Sequence, residues 1–132
     1  MAKSGVVRGV GQAALGAVLL TAGASHLTVA REEFRAQVPD WFPADPDTVV
    51  LASGIVELAL GTALLTTWRQ PARKRLGTLV AGFFVAVFPG NIAQYTGHKD
   101  GFGLDSDRKR ALRLLGQPAL VAWARAATRP AP

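Results

Sequence analysis

Six polar side chains stand inside or at the borders of otherwise apolar stretches: His26, Glu57, Asn91, Gln94, Arg113 and Gln117. In hydrocarbon such groups are expensive, so they turn toward one another, toward a bundle interior or toward a cavity. Glu57 carries the strongest signal. A carboxylate at the centre of a membrane helix costs about 2.5–3.5 kcal/mol on insertion scales. It is therefore either protonated or paired with a cation, and His26 and Arg113 are the two partners in reach. The sequence leaves two roles open: Glu57 binds a ligand or carries a proton, or it only ties helices together by hydrogen bonds worth about 1 kcal/mol. His26 is likewise a ligand or relay group, or an interfacial histidine bonded to a backbone carbonyl. Asn91 follows Phe88-Pro89-Gly90, and a proline frees the carbonyl one turn before it and opens a kink. Asn91 and Gln94 either satisfy such freed groups or face the opening. Gln117 beside Pro118 has the same two readings, and His98 reads as a terminal polar residue.

No catalytic set accompanies these residues. The chain has no cysteine, which excludes thiol chemistry, disulfides and iron–sulfur ligation by this chain, and its two histidines do not make a metal site. Gly16, Gly23, Gly54, Gly61, Gly77 and Gly82 read as close helix packing. No strand precedes them and no glycine-rich Lys-Ser/Thr motif follows, so they do not form a phosphate loop.

The elements that must position the six residues follow from charge spacing. Of 132 residues, 49% are apolar and 18% charged, against roughly a quarter charged in an ordinary soluble domain. Residues 9–30 and 76–98 carry no Asp, Glu, Lys or Arg, and residues 48–68 carry only Glu57. A crossing helix needs about 20 apolar residues, and these three runs meet that length. The run at 114–124 is short, but an N-cap at Asp105, Ser106 or Asp107 extends its helix to about 107–127. A soluble fold would need a shell around these helices that 132 residues cannot supply. The expected fold is all-α: a single domain over residues 1–132, an integral membrane four-helix bundle with spans at about 9–30, 48–68, 76–97 and 107–127. The first run continues to Ala30, too long for a signal-peptide core, and is read as a retained span.

The connections set the topology. Residues 31–47 hold two basic and five acidic residues, three prolines, and Trp41-Phe42, which suits the headgroup zone. A short interfacial helix is expected before Pro39, with Phe34 and Val38 one turn apart. The 69–75 connection carries four basic residues and no acid. Lysines and arginines number eight on the side of the termini and seven on the other. With the acid-rich first loop this predicts both termini in the cytoplasm and all six polar residues in the outer half of the bilayer. A polar cluster in one leaflet is the pattern of a cavity open to that side. The cations at 108–113 sit at a helix N-terminus, which calls for something acidic beside them, a lipid phosphate or Glu57 itself. LGAVLLTAG (15–23) and LGTALLTTW (60–68) match at five positions, a coincidence that Leu/Ala/Gly-rich segments produce freely.

Several motifs recur in order: Ala24-Ser25-His26-Leu27; Phe34, Val38-Pro39 and Phe42-Pro43; Ser53 to Leu58 with Gly61; Phe88 to Ala93; and Arg113 to Pro118 with Trp123. Together, over residues 9–124, they resemble the DoxX-like family of small four-helix bacterial membrane proteins. The resemblance implies a compact bundle in the bacterial cytoplasmic membrane. The family is named after a subunit of a thiosulfate–quinone oxidoreductase, some members are linked to oxidative-stress complexes, and most have no established activity. Its recurrent positions fall on His26, Glu57, Pro89, Asn91, Arg113 and Gln117. Leu115-Gly116 departs from a family pattern with proline before Leu-Gln and is expected to loosen entry into the last helix. Three functions follow: binding of a small or lipid-like molecule (a quinone among the candidates) or support of a membrane complex; an accessory subunit of a quinone-linked oxidoreductase with Glu57 and His26 relaying protons; or an oligomeric small-solute transporter. The expected partners are membrane lipid and a membrane protein or second copy of the chain. Nucleic acid is not among them, because lipid headgroups account for the basic clusters.

Overall fold

In the computed structural model, residues 2–28, 35, 38–97 and 106–130 are described. They form four helices and no strand: α1 (Ala2–Leu27), α2 (Pro46–Thr66), α3 (Ala72–Thr96) and α4 (Asp107–Thr128). The first three are long and apolar enough to cross a membrane. At 22 residues α4 has the length, but six charged side chains keep it out of that apolar class.

Helix ends depart from the apolar runs because caps, not hydropathy, decide where backbone groups are satisfied. Proline is tolerated in the first turn, where its missing N–H is not needed, so α2 starts at Pro46 after the Asp45 cap. The first helix stops at Leu27, three residues short of the run's end. Of the three candidate caps for α4, Ser106 does the work, its Oγ accepting from the Lys109 N–H at 3.3 Å. Ser106→Ala is expected to cost about 1 kcal/mol, read as the shift in a thermal melt of the detergent-solubilised protein. Of the 108–113 cations, the buried Arg110 has its Nη1 2.8 Å from Asp107 Oδ1, while Glu57 faces His26 instead. The helix runs unbroken through Leu115, Gly116 and Pro118, so the expected loosening does not occur. Pro89 likewise leaves α3 continuous. Most of the interfacial helix expected before Pro39, and His98, lie outside the described residues. Trp41 is 72% exposed and stands beside Phe42, as headgroup-level aromatics do.

Two antiparallel hairpins, α1–α2 and α3–α4, make up the bundle. They join mainly through α1 against α4, while α2 and α3 barely touch. Glycines let α1 and α2 close on one another. A Cβ on Gly23 would stand 2.8 Å from the Gly54 carbonyl oxygen, and one on Gly61 would stand 2.9 Å from that of Gly16. Backbones this close gain dispersion contacts that larger residues would forbid. On the second hairpin, Gly77 lies against Thr128. Gly82 is different: nothing lies within 4 Å of its Cβ position, so it does not serve helix approach.

The two matching nonamers have a structural counterpart. Gly16 abuts Gly61 and Leu65, and Gly61 abuts Gly16 and Leu20, a local two-fold arrangement that puts equivalent positions of the two segments in equivalent contacts. Leu15, Leu19 and Leu64 then enter the core with Leu76, Val80, Ala81, Phe84 and Ala124. Outside, Val7, Val10, Ile55, Leu79, Val85 and Leu115 are each more than half exposed. An apolar exterior of that extent belongs in lipid rather than water.

Candidate functional site

The end bearing the α1–α2 and α3–α4 connections is termed the outer end. Between it and the apolar core the fold gathers the expected polar residues into two pairs, one per hairpin. His26 closes α1 and Glu57 lies midway along α2, with Nε2 and Oε1 3.6 Å apart and both side chains buried. The contact depends on the glycine seam, because His26 Cβ sits directly over Gly54, 2.7 Å from where a Cβ would be.

The other imidazole nitrogen defines the chemistry. His26 Nδ1 lies 3.3 Å from the Val50 carbonyl oxygen and 2.9 Å from Ser53 Oγ. A carbonyl can only accept, so Nδ1 carries the hydrogen. Ser53 Oγ itself donates to the Val50 oxygen at 3.0 Å. Ser53, His26 and Glu57 thus have the composition of a nucleophilic triad without its function, since the nitrogen facing the serine is a donor and cannot act as its base. With Nδ1 turned to Val50 and Ser53, Nε2 is the nitrogen that faces the Glu57 carboxyl, 3.6 Å from Oε1.

On the second hairpin, Gln117 Nε2 donates to the Phe84 carbonyl oxygen at 2.6 Å, and its Oε1 accepts from Asn91 Nδ2 at 3.4 Å. That carbonyl neighbours Val85, whose oxygen Pro89 cannot serve. Gln117 thus serves the carbonyl one residue before the one that the proline leaves without a donor. Gln94 is 1% exposed, and Asn91 and Gln117 are equally enclosed. Arg113 is half-buried and forms no hydrogen bond or ion pair with a described residue, so His26, not Arg113, is the partner of Glu57. Its Nη1 folds back over Gly116, 3.2 Å from that residue's Cβ position. Trp123 and Ala127 flank Gly11. Equal steps outward from that contact bring Arg113 level with Gly23, which touches Gly54 and Leu58 of α2.

Glu57 Oε2 and Asn91 Oδ1 are buried in this layer without a hydrogen bond, and His26 Nε2 comes no nearer than 3.6 Å to Glu57 Oε1, too far for one. The layer is closed rather than open to the outer side, His26, Glu57, Asn91, Gln94 and Gln117 all being under a tenth exposed. A hollow of about 310 Å³ lies in the α1–α2 connection, lined by Arg35, Val38, Phe42 and Asp45 among others.

A second polar assembly, at the opposite end, is not foreseen by the sequence reading. Gln12 is fully buried and donates to the carbonyls of Leu64 and Thr67, both at 2.8 Å. Its Oε1 accepts from Arg73 Nε at 2.6 Å, and Arg73 Nη2 donates to the Ala127 carbonyl at 2.9 Å. Trp123 Nε1 donates to the Gly11 carbonyl at 2.9 Å. The available signal was Gln12 itself, an amide side chain in a run otherwise broken only by hydroxyls and His26.

A family model described as Domain of unknown function (DUF8561) matches residues 15–128, and the chain belongs to that family. No curated protein and no solved structure matches it.

Proposed function

We propose that this DUF8561 member is an integral membrane protein of four crossing helices in a bacterial inner membrane, with both termini cytoplasmic. In the polar layer of its outer half it binds a small or lipid-like molecule. The observation that carries this reading is the pair of buried acceptors without a hydrogen bond, Glu57 Oε2 and Asn91 Oδ1, one on each hairpin. Leaving such a group unmet costs about 1–3 kcal/mol, and native proteins keep few of them without a ligand or function to account for the cost. Arg113 adds an unengaged donor at the same level. A matching ligand offers hydroxyl or amide hydrogens to the acceptors and a carbonyl or anionic oxygen to the guanidinium, on an apolar body; a quinol has this character. The light contact between α2 and α3 is where the closed layer parts most cheaply to admit it. The DoxX-like resemblance supports the same reading, since its recurrent positions include the residues of both pairs.

The test is mass spectrometry of small molecules retained by the purified protein in lipid nanodiscs, with helicity followed by circular dichroism. The unaltered chain is expected to retain one such molecule, and Asn91→Leu and Glu57→Gln to lower occupancy about tenfold at unchanged helicity, the equivalent of one hydrogen bond each. Retention of bulk lipid alone, or unaltered occupancy in both variants, overturns the reading.

A second reading, an accessory subunit of a quinone-linked oxidoreductase, is favoured by the buried contact between His26 Nε2 and Glu57 Oε1 at 3.6 Å. Here a bound quinol gives its electrons to a redox partner subunit, and an ionised Glu57 beside a neutral His26 accepts one of the released protons and passes it to Nε2. In this reading Glu57→Gln blocks quinol-linked turnover while the molecule stays bound.

A further inference from the structure

The nine acidic residues of the chain fall between positions 32 and 57 and between 100 and 107, so residues 1–31, 58–99 and 108–132 contain none. Tertiary structure turns that spacing into a surface. Arg8 Nη1 donates to the Pro130 carbonyl at 3.1 Å, Gln70 Nε2 to that of Thr128 at 2.8 Å and Gln12 Nε2 to that of Thr67 at 2.8 Å. These bonds draw the start of α1, the α2–α3 connection and the end of α4 to one place. Arg73 is consumed there by Gln12 and Ala127. Arg69, Lys74, Arg75, Arg125 and Arg129 remain exposed on the same end, with no Asp or Glu side chain in these segments to neutralise them. Trp68 rims the surface at 42% exposure, its Nε1 bonded to the Leu65 carbonyl and its ring beneath the Arg73 guanidinium at 5.5 Å. An aromatic fixed at the boundary between an apolar belt and a ring of cations marks the headgroup level of a bilayer.

We infer that this end is a docking surface for the phosphodiester headgroups of anionic lipids in the leaflet it faces. Charge complementarity identifies the occupant: five exposed cations drawn from two separate segments, bordered by an apolar exterior that places them against lipid rather than a soluble anion. The inference rests on the membrane reading above and is independent of any ligand in the outer layer.

The full chain is reconstituted first in phosphatidylcholine vesicles, where resistance to alkaline extraction establishes insertion by itself. Nanodiscs holding equal phosphatidylglycerol and phosphatidylcholine are then analysed by native mass spectrometry for lipids that stay bound. The unaltered protein is expected to retain phosphatidylglycerol at least about fivefold over phosphatidylcholine, the worth of one such cation near an anionic surface. The triple variant Arg69→Gln/Lys74→Gln/Arg75→Gln is expected to fall to parity. Arg125→Gln/Arg129→Gln, on a different helix, is expected to lose preference too, which guards against a folding defect in the first. Arg108→Gln/Lys109→Gln at the outer end is expected to keep it. Parity in the unaltered protein, or equal loss in the outer-end variant, overturns the inference.

Discussion

Gln12→Leu is expected to lower the stability of the folded bundle by about 3 kcal/mol and to loosen the two hairpins from each other. One amide serves three partners here. Its nitrogen holds the carbonyls of Leu64 and Thr67, and its oxygen holds Arg73, which reaches on to Ala127. Leu64, Thr67 and Ala127 lie at the ends of α2 and α4, where carbonyls have no helical partner. A cation at two converging helix C-termini also opposes their partial negative charge. Leucine fills the volume of Gln12 but leaves two carbonyls and a guanidinium without their partner, each worth about 1–3 kcal/mol when buried. Proximity to the bundle end lets water recover part of that, which holds the total near the lower side of the sum. Unfolding in mixed micelles titrated with sodium dodecyl sulfate measures the difference, and a loss below about 1 kcal/mol would show that the clasp is already satisfied by water.

Gly54→Ala is expected to be similarly severe and, in addition, to abolish the polar layer's geometry. The new methyl would stand 2.7 Å from His26 Cβ and 3.1 Å from the Gly23 carbonyl oxygen. Neither can rotate away: one is a Cβ fixed to the backbone, and the other is backbone. The helices must separate, at about 1–3 kcal/mol for overpacking. His26 is carried away from Ser53, Val50 and Glu57 as they part. Both stability and retained small molecule therefore fall, and the imidazole nitrogen resonances of His26 report the broken contacts. Gly82→Ala is the control. It meets nothing within 4 Å, and alanine suits a helix better than glycine, so stability is expected to hold or rise. If both variants behave alike, the seam does not position His26.

Much of the fold was legible because its causes are local. Run length without charge, a proline at the start of α2 and a capping serine before α4 are one-dimensional facts, and they predict helices to within a few residues. The largest boundary difference is at the start of α1, where the helix runs through the polar flank ahead of its apolar run. Gln12 escaped notice because its environment is built from the ends of other helices, which no spacing within α1 reveals. The nonamer match carries no information about contact by itself; only the fold sets the two segments face to face across Gly16 and Gly61.

By itself the sequence determined that four helices form, that three are apolar enough for a bilayer, and that a handful of polar groups must be hidden within them, because hydropathy and capping act over single turns. Only the tertiary structure decided that Glu57 meets His26 rather than Arg113, that Gln117 serves the Phe84 carbonyl, and that Arg73 is drawn inward while its basic neighbours stay exposed. The reason is reach. A side chain's partner depends on the rotation and register of the helix opposite, and in this bundle those are set by glycine contacts between segments some 30 to 50 residues apart.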